Sequence, residues 1–326
     1  MFSGRRRFLR LGAGAAALAG FARLPRAQGW PSKIVRLVVG FPPGGGADAA
    51  SRIIAAKLSE LLGQQVVVEN RPGAGGNVAL DAVVHAPPDG YTMLMSPSSL
   101  PIQHLLFASL PFDTQSGFAP VSLLGTYPNL LVVSKSSRLK TLKDYVEEAR
   151  ANPGKVTYAT PGIGSVPYLA AELFKIKAGV QLTHVPYKGV AAGAMNDLVM
   201  NRIDSMFNTT GSLLQSVRAG QTMALGASTP SRSRLAPDIP TFSELGVACA
   251  ATGWYAIFVP AATPADVVAR MGEGIARALA GPVVRERYAT LGVDASGSTP
   301  GQLAAMAKAE VELWAPIIKA NGIKGE

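Results

Sequence analysis

The groups best suited to chemistry in this chain are backbone amides rather than reactive side chains. The run Phe41-Pro42-Pro43-Gly44-Gly45-Gly46-Ala47-Asp48 follows an apolar stretch, residues 34–40, that reads as a strand. It precedes residues 49–62, where Ile54, Leu58, Leu61 and Leu62 fall on one helical face. A glycine-rich turn between a strand and a helix leaves N–H groups bare, and the helix dipole adds partial positive charge there. Such a turn receives an anion; the plainer alternative is a tight turn without a ligand. A second unit is built the same way. Residues 156–159 read as a strand, Thr160-Pro161-Gly162-Ile163-Gly164-Ser165 as a turn, and residues 166–177 as a helix that Ser165 can cap. Two such units in separate lobes can grip one ligand lying between them.

Other chemistries lack their residues. Gly40 and Gly45 have P-loop spacing, but Gly46 and Ala47 stand where Lys and Ser/Thr are required. Neither this turn nor Gly162-Ile163-Gly164 completes a dinucleotide G-x-G-x-x-G. His85, His104 and His184 are scattered and form no metal-ligand pair, so neither metal nor cofactor is expected. Cys249 is the single cysteine, which excludes an intrachain disulfide, and between two alanines it reads as a small buried apolar residue. Gly164-Ser165 and Gly211-Ser212 lack the G-x-S-x-G pattern of a hydrolase, and no carboxylates stand out as an acid–base pair. Asp48 suits the first turn of a helix; as a general base it has no visible nucleophile. An exported hydrolase of a small carboxylate ester is the competing class.

The N-terminus points to export. Arg5-Arg6-Arg7-Phe8-Leu9-Arg10 is similar to a twin-arginine motif and leads into a short apolar stretch. That stretch is below the ~20 residues that span a bilayer, so removal after Ala27 is expected despite Pro25 at the −3 position. An uncleaved basic anchor is the alternative. Residues 1–27 carry six arginines and no acid, so their loss takes 31 basic residues to 25 against 21 acids, and the net charge from +10 to +4. The high basicity thus belongs to the leader, and no Lys/Arg run interleaved with aromatics remains to bind nucleic acid.

About 300 mature residues exceed one ordinary core, and strand–helix alternation predicts an α/β fold of two lobes, each a mixed, mostly parallel sheet flanked by helices. Strands are expected near 65–69, 91–95, 156–159, 181–185, 205–208 and 223–227, with helices starting near Thr141, Ser165, Ala192 and Gly211. Thr241-Phe242-Ser243-Glu244 and Thr299-Pro300-Gly301-Gln302 have capping-box form, and Thr263-Pro264 opens a helix running to Ala280. Extended passages near 121–135 and 253–260 are the expected crossings. They divide the chain into a leader (1–27), a first lobe (28–128 plus 254–326) and a second lobe (129–253).

Several of these residues together resemble a family. The lead-in Trp30-Pro31-Ser32-Lys33 through Phe-Pro-Pro-Gly-Gly-Gly-Ala-Asp is similar to the Bug-type receptors of tripartite tricarboxylate transporters. So are Glu69-Asn70-Arg71-Pro72-Gly73-Ala74-Gly75-Gly76, Pro87-Pro88-Asp89-Gly90-Tyr91 and Val185-Pro186-Tyr187-Lys188-Gly189. The resemblance implies a monomeric, periplasmic, Venus-flytrap receptor, not an enzyme. Such a receptor closes on a small organic carboxylate, partly through ordered water, and delivers it to the subunits of a membrane permease. The ligand-binding residues it implies, joined to the loop reading, are Phe41, Pro43, Gly44, Gly45, Asp48, Ser98, Thr160, Gly162, Gly164, Ser165, Tyr168 and Asn208. Phe41 and Tyr168 are the expected apolar walls, with Phe41 as a strand-end core residue the alternative. Arg71 either meets the anion or fastens a loop. Tyr168 stands where many relatives have His and Asn208 where many have Asp, Ala191-Ala192-Gly193 lacks the usual Pro, and residues 96–99 also depart from the pattern. A neutral Asn cannot pair with a ligand ammonium, so a di- or aromatic carboxylate without an amino group is expected. Gly45→Val or Gly164→Val is expected to abolish binding by blocking close approach or an unusual φ.

Overall fold

The computed structural model describes residues 29–187 and 191–325. The leader with its cleavage site, and Lys188-Gly189 of the Tyr-Lys-Gly segment, lie outside the described residues. The strands are β1 (Val35–Val39), β2 (Val66–Asn70), β3 (Thr92–Pro97), β4 (Phe118–Tyr127), β5 (Asn129–Ser134) and β6 (Thr157–Thr160). They continue with β7 (Thr183–Pro186), β8 (Ser205–Thr209), β9 (Thr222–Ala227), β10 (Gly253–Pro260) and β11 (Asp294–Ala295). The helices are α1 (Gly46–Leu62), α2 (Asn77–Val84), α3 (Gln103–Leu106), α4 (Leu142–Ala151) and α5 (Val166–Ala178). Then follow α6 (Ala191–Val199), α7 (Thr210–Arg218), α8 (Ala265–Ala280), α9 (Pro282–Thr290) and α10 (Pro300–Asn321).

The strands form two mixed sheets, ordered β11-β4-β10-β3-β1-β2 and β7-β6-β8-β5-β9. In the first, β1 runs parallel to β2 and β3, and β10 antiparallel to β3 and β4. In the second, β6 runs parallel to β7 and β8, while β5 is antiparallel to β8 and β9. The central strands are covered on both faces, so they read as unbroken apolar runs instead of alternating ones: Leu37, Val38 and Val39 are all fully buried. On α1, Ile54 and Leu58 are buried, and Leu61 and Leu62 pack partly buried against the same cluster. The two-lobed α/β fold is therefore as expected.

Local signals explain most boundaries. Thr141 with Asp144, and Thr299 with Gln302, form complete capping boxes, and Ser165 caps α5. Thr241 and Glu244 exchange the same two bonds, at 2.7 and 3.1 Å, but close only a turn. Thr263 donates its hydroxyl to the Pro260 carbonyl, and α8 begins after Pro264. The α1 helix starts at Gly46, three residues before the expected Ala49.

The crossings differ from expectation in one respect. The first is the extended passage itself, broken at Pro128 where β4 leaves one sheet and β5 enters the other. The passage at 253–260 is β10, which lies wholly in the first sheet. The return is the irregular stretch 228–252, fixed because Ser228 N–H donates to the Asn129 carbonyl at 2.9 Å and Asn129 Nδ2 to the Ala251 carbonyl at 3.1 Å. Buried backbone groups outside a sheet need such partners.

Helix α10 joins the lobes a second way. Leu303 packs with Phe258 and Trp254 of the first sheet, whereas Trp314 and Ile318 belong to the cluster of Leu169, Phe174 and Phe207 in the second lobe. Between them Glu310 accepts the indole N–H groups of Trp254 and Trp314, each at 2.9 Å. Burial raises the Glu310 pKa in spite of these bonds. Trp314→Ala removes a core indole and one donor to a buried carboxyl, so denaturant unfolding is expected to show a loss of about 3–5 kcal/mol. A loss within ~0.5 kcal/mol, the level of an ordinary surface change, would contradict the joining role of α10.

Candidate functional site

The first glycine loop is held from behind. Pro42 and Pro43 carry no N–H, and Gly44 turns the chain at φ +83°. Gly44 N–H donates to Asp48 Oδ2 at 3.0 Å, Arg52 pairs with the same carboxylate at 2.9 Å, and Asn70 Nδ2 reaches both Asp48 Oδ1 and the Phe41 carbonyl at 2.9 Å. Burial works to raise the Asp48 pKa, but the Arg52, Gly44 and Asn70 bonds outweigh it and hold the carboxyl below its usual range. Glu69 binds Arg36 at 2.7 Å and Arg71 at 2.6 Å, so Arg71 fastens a loop. In the first turn of α1, Gly46 N–H donates to Ser212 Oγ at 3.1 Å. The N–H groups of Ala47 and Asp48 take no partner among the described residues.

The second loop is pinned by Thr160. Gly162 N–H donates to Thr160 Oγ1 at 3.1 Å, and Oγ1 lies 2.7 Å from His184 Nε2. Burial pushes the His184 pKa down to about 4, so the ring is neutral at pH 7, and its tautomer sets which of the two groups donates. The pair has the composition of a nucleophile and a base, but Thr160 is fully buried and its oxygen already takes the loop N–H. Ser165 Oγ donates to the Gly162 carbonyl at 2.6 Å and accepts Tyr168 N–H at 3.4 Å. Gly164 has φ +81°, and its carbonyl accepts Gln103 Nε2 from the first lobe at 3.1 Å. A Cβ on Gly75 would stand 2.4 Å from the Ile163 carbonyl. The Arg-Pro-Gly-Ala-Gly-Gly run thus fastens one loop and abuts the other.

Between the lobes lies a cleft of about 580 Å³, its mouth included. Phe41, Pro42 and residues 45–47 line it from the first lobe; Thr160, Pro161, Val166 and Pro167 line it from the second loop and the start of α5. Thr209 and Ser212 bring a third helix start, that of α7. A Cβ on Gly46 would meet Thr209 Oγ1 at 2.6 Å and Tyr255 Oη at 3.0 Å, and one on Gly211 would meet Gly46 Cα at 3.2 Å. Tyr127 and Tyr255 line it with their rings tilted at 32° and centroids 4.2 Å apart. Asn208 Oδ1 accepts Thr209 N–H at 2.8 Å, which leaves the amide NH2 as a donor to the cleft. Among the described lining residues none is charged.

Of the twelve expected ligand residues, Phe41, Gly45, Thr160 and Asn208 line this cleft. Pro43, Gly44, Asp48, Gly162, Gly164 and Ser165 build the loops behind it without lining it. Ser98 lines a separate cavity with Trp314 and Leu169. Tyr168 is not a cleft wall: it is buried, with its ring 5.0 Å from His184, because its position on α5 turns it into the second-lobe core. Tyr127, Tyr187, Met206, Thr209, Ser212 and Tyr255 line the cleft unanticipated. Only Thr209-Thr210-Gly211-Ser212, a helix-start sequence, carried a local signal.

The glycine expectations also shift. Gly45 has φ −79° and its nearest obstacle is 3.6 Å away, so its backbone accepts a side chain. Gly46 does not, because Thr209 of the other lobe and Tyr255 occupy the space. Gly46→Val is expected to hold the lobes apart and weaken ligand binding at least ~10-fold, the effect of one lost contact of about 1.4 kcal/mol; unchanged calorimetric affinity would remove this contact from the site. The depressed His184 pKa has a second consequence. Between its unfolded value near 6.5 and its folded value of about 4, the unfolded chain binds the extra proton, so stability falls as pH drops through that window. His184→Gln is expected to flatten this part of the pH–stability curve by on the order of 2 kcal/mol; an unaltered curve between pH 7 and 4 would contradict it.

Known proteins share this architecture and sequence. The family described as the tripartite tricarboxylate transporter family receptor matches residues 50–323. A protein of Pseudomonas sp. strain P51, described as a UPF0065 protein in the tcbD-tcbE intergenic region, is 38% identical over 320 residues, covering 97% of this chain and 94% of its own. Among solved structures, the periplasmic binding protein BugD is 30% identical with a TM-score of 0.86, covering 91% of this chain and 100% of its own. Rpa4515 of R. palustris with adipate is 32% identical with the same TM-score, covering 90% of this chain and 99% of its own.

Proposed function

This chain belongs to the receptors of the tripartite tricarboxylate transporter family, and from that membership and the cleft we propose that it captures a small organic carboxylate in the periplasm and hands it to a membrane permease. The observation that carries the proposal is the meeting of three helix starts, α1, α5 and α7, at a cleft with no charged side chain among its described lining. Bare N–H groups and aligned dipoles offer an anion partial positive charge without a counter-ion that must itself be desolvated. Each charge-assisted hydrogen bond contributes about 1.5–3 kcal/mol. Micromolar binding requires about 8 kcal/mol, so three or four such bonds suffice where the lobes exclude water.

The relative bound to adipate supports a carboxylate, and Asn208 narrows the choice. Its amide donates to the cleft but supplies no charge for an ammonium, which favours an acid without an amino group. The leader-like N-terminus fits export, and no described helix is long and apolar enough to cross a membrane. We place the receptor's halves at 28–128 plus 254–326 and at 129–253, and expect it to act as a monomer. The hydrolase alternative finds little support, since Ser165 directs its hydroxyl to its own loop and no base contacts it among the described residues.

The test is a thermal-shift panel of carboxylates paired with a chromogenic ester assay, with native mass spectrometry of protein purified without added ligand. Saturable stabilisation by acids without ester turnover, and a co-purified organic acid, are expected. Ester turnover lost in Ser165→Ala would establish the hydrolase instead.

A further inference from the structure

Within the carboxylate-receptor reading, on which this rests, we infer that the ligand is a monocarboxylate with an uncharged hydrocarbon body. Its carboxylate sits on the helix starts and its body lies against Tyr187, Ala194 and Met206. The donors are gathered in one place. Gly46 N–H is spent on Ser212 Oγ, but the N–H of Ala47 beside it takes no partner among the described residues, and the Ser212 and Thr209 hydroxyls lie 3.2 Å apart at the same helix starts. Asn208 precedes Thr209 and adds its amide.

Along the wall of Tyr187, Ala194 and Met206 the lining is closed to an anion. Pro42, Pro97, Pro161 and Pro167 have no N–H to give. The Thr160 hydroxyl is taken up between His184 and Gly162. Tyr187 donates its hydroxyl to Asp197 at 2.6 Å and its N–H to the Thr160 carbonyl at 3.1 Å. Ala194 and Met206 belong to the apolar cluster of Ala159 and Leu198. A second carboxylate reaching this wall would lose its water and find neither a cation nor an uncommitted side-chain donor on Tyr187, Ala194 or Met206. A hydrocarbon meets no such obstacle, and the flexible thioether of Met206 adapts to its shape.

The experiment is calorimetric titration of the mature protein with acetate, hexanoate, benzoate and adipate. Hexanoate or benzoate is expected to bind at least ~10-fold tighter than adipate, since a pocket that cannot pair a buried polar group rejects it strongly. Ala194→Leu, which fills the wall, is expected to lower the ratio of hexanoate to acetate affinity by about 10-fold, the order of a few methylene groups. Where that variant does not fold, Met206→Gln supplies an amide donor to the wall and is expected to narrow the hexanoate–adipate gap. Adipate binding as tightly as hexanoate, an unmoved hexanoate-to-acetate ratio in folded Ala194→Leu, or an unmoved gap in Met206→Gln would overturn the inference and leave the carboxylate receptor standing. Failure of every acid to bind would instead remove the receptor reading itself.

Discussion

Two backbones approaching each other set the geometry of this molecule. Gly46 at the start of α1 and Gly211 at the start of α7 lie so close that a methyl group on Gly46 would collide with Thr209 of the opposite lobe, and one on Gly211 would press on Gly46. Only this absence of side chains lets Gly46 N–H reach Ser212 and lets the two helix starts share one cleft with that of α5. The partial charges of helix ends act over the first turn only, so separating the lobes by the thickness of a side chain would dissipate their combined effect.

The division of labour between charges and dipoles follows. Asp48, Arg52, Glu69, Arg36 and Arg71 are all engaged behind the first loop, where they fix the path of the chain. None of them lines the cleft. A full charge facing the ligand would have to be stripped of water on closure, at a cost that its partner does not always offset. Neutral donors held rigidly in place avoid that penalty. Rigid placement in turn explains why so many polar contacts, from Thr160–His184 to Gln103–Gly164, are spent on the loops themselves.

The strand–turn–helix units were legible in the sequence because their signals are local: an apolar run, glycines, then helical periodicity. The capping residues Thr141, Ser165 and Thr299 were equally legible, since a cap is a contact across three residues. What escaped was decided at long range. Gly46 reads as one more loop glycine until Gly211 stands opposite it, and the pairing of Tyr127 with Tyr255 joins strands far apart in sequence. Tyr168 shows the same limit in reverse. Its place after the second loop suggests the cleft, but the rotation of α5 sends it to His184 and the core. Cys249 was legible from its alanine neighbours alone; it is fully buried, and burial pushes its thiol up to about 12.

Helix α10 makes the two flanks of the molecule unequal. With Leu303 in one apolar cluster and Trp314 and Ile318 in the other, parting the lobes on this side would expose apolar surface of both clusters to water. A swing of one half against the other that kept both contacts would have to turn about this helix.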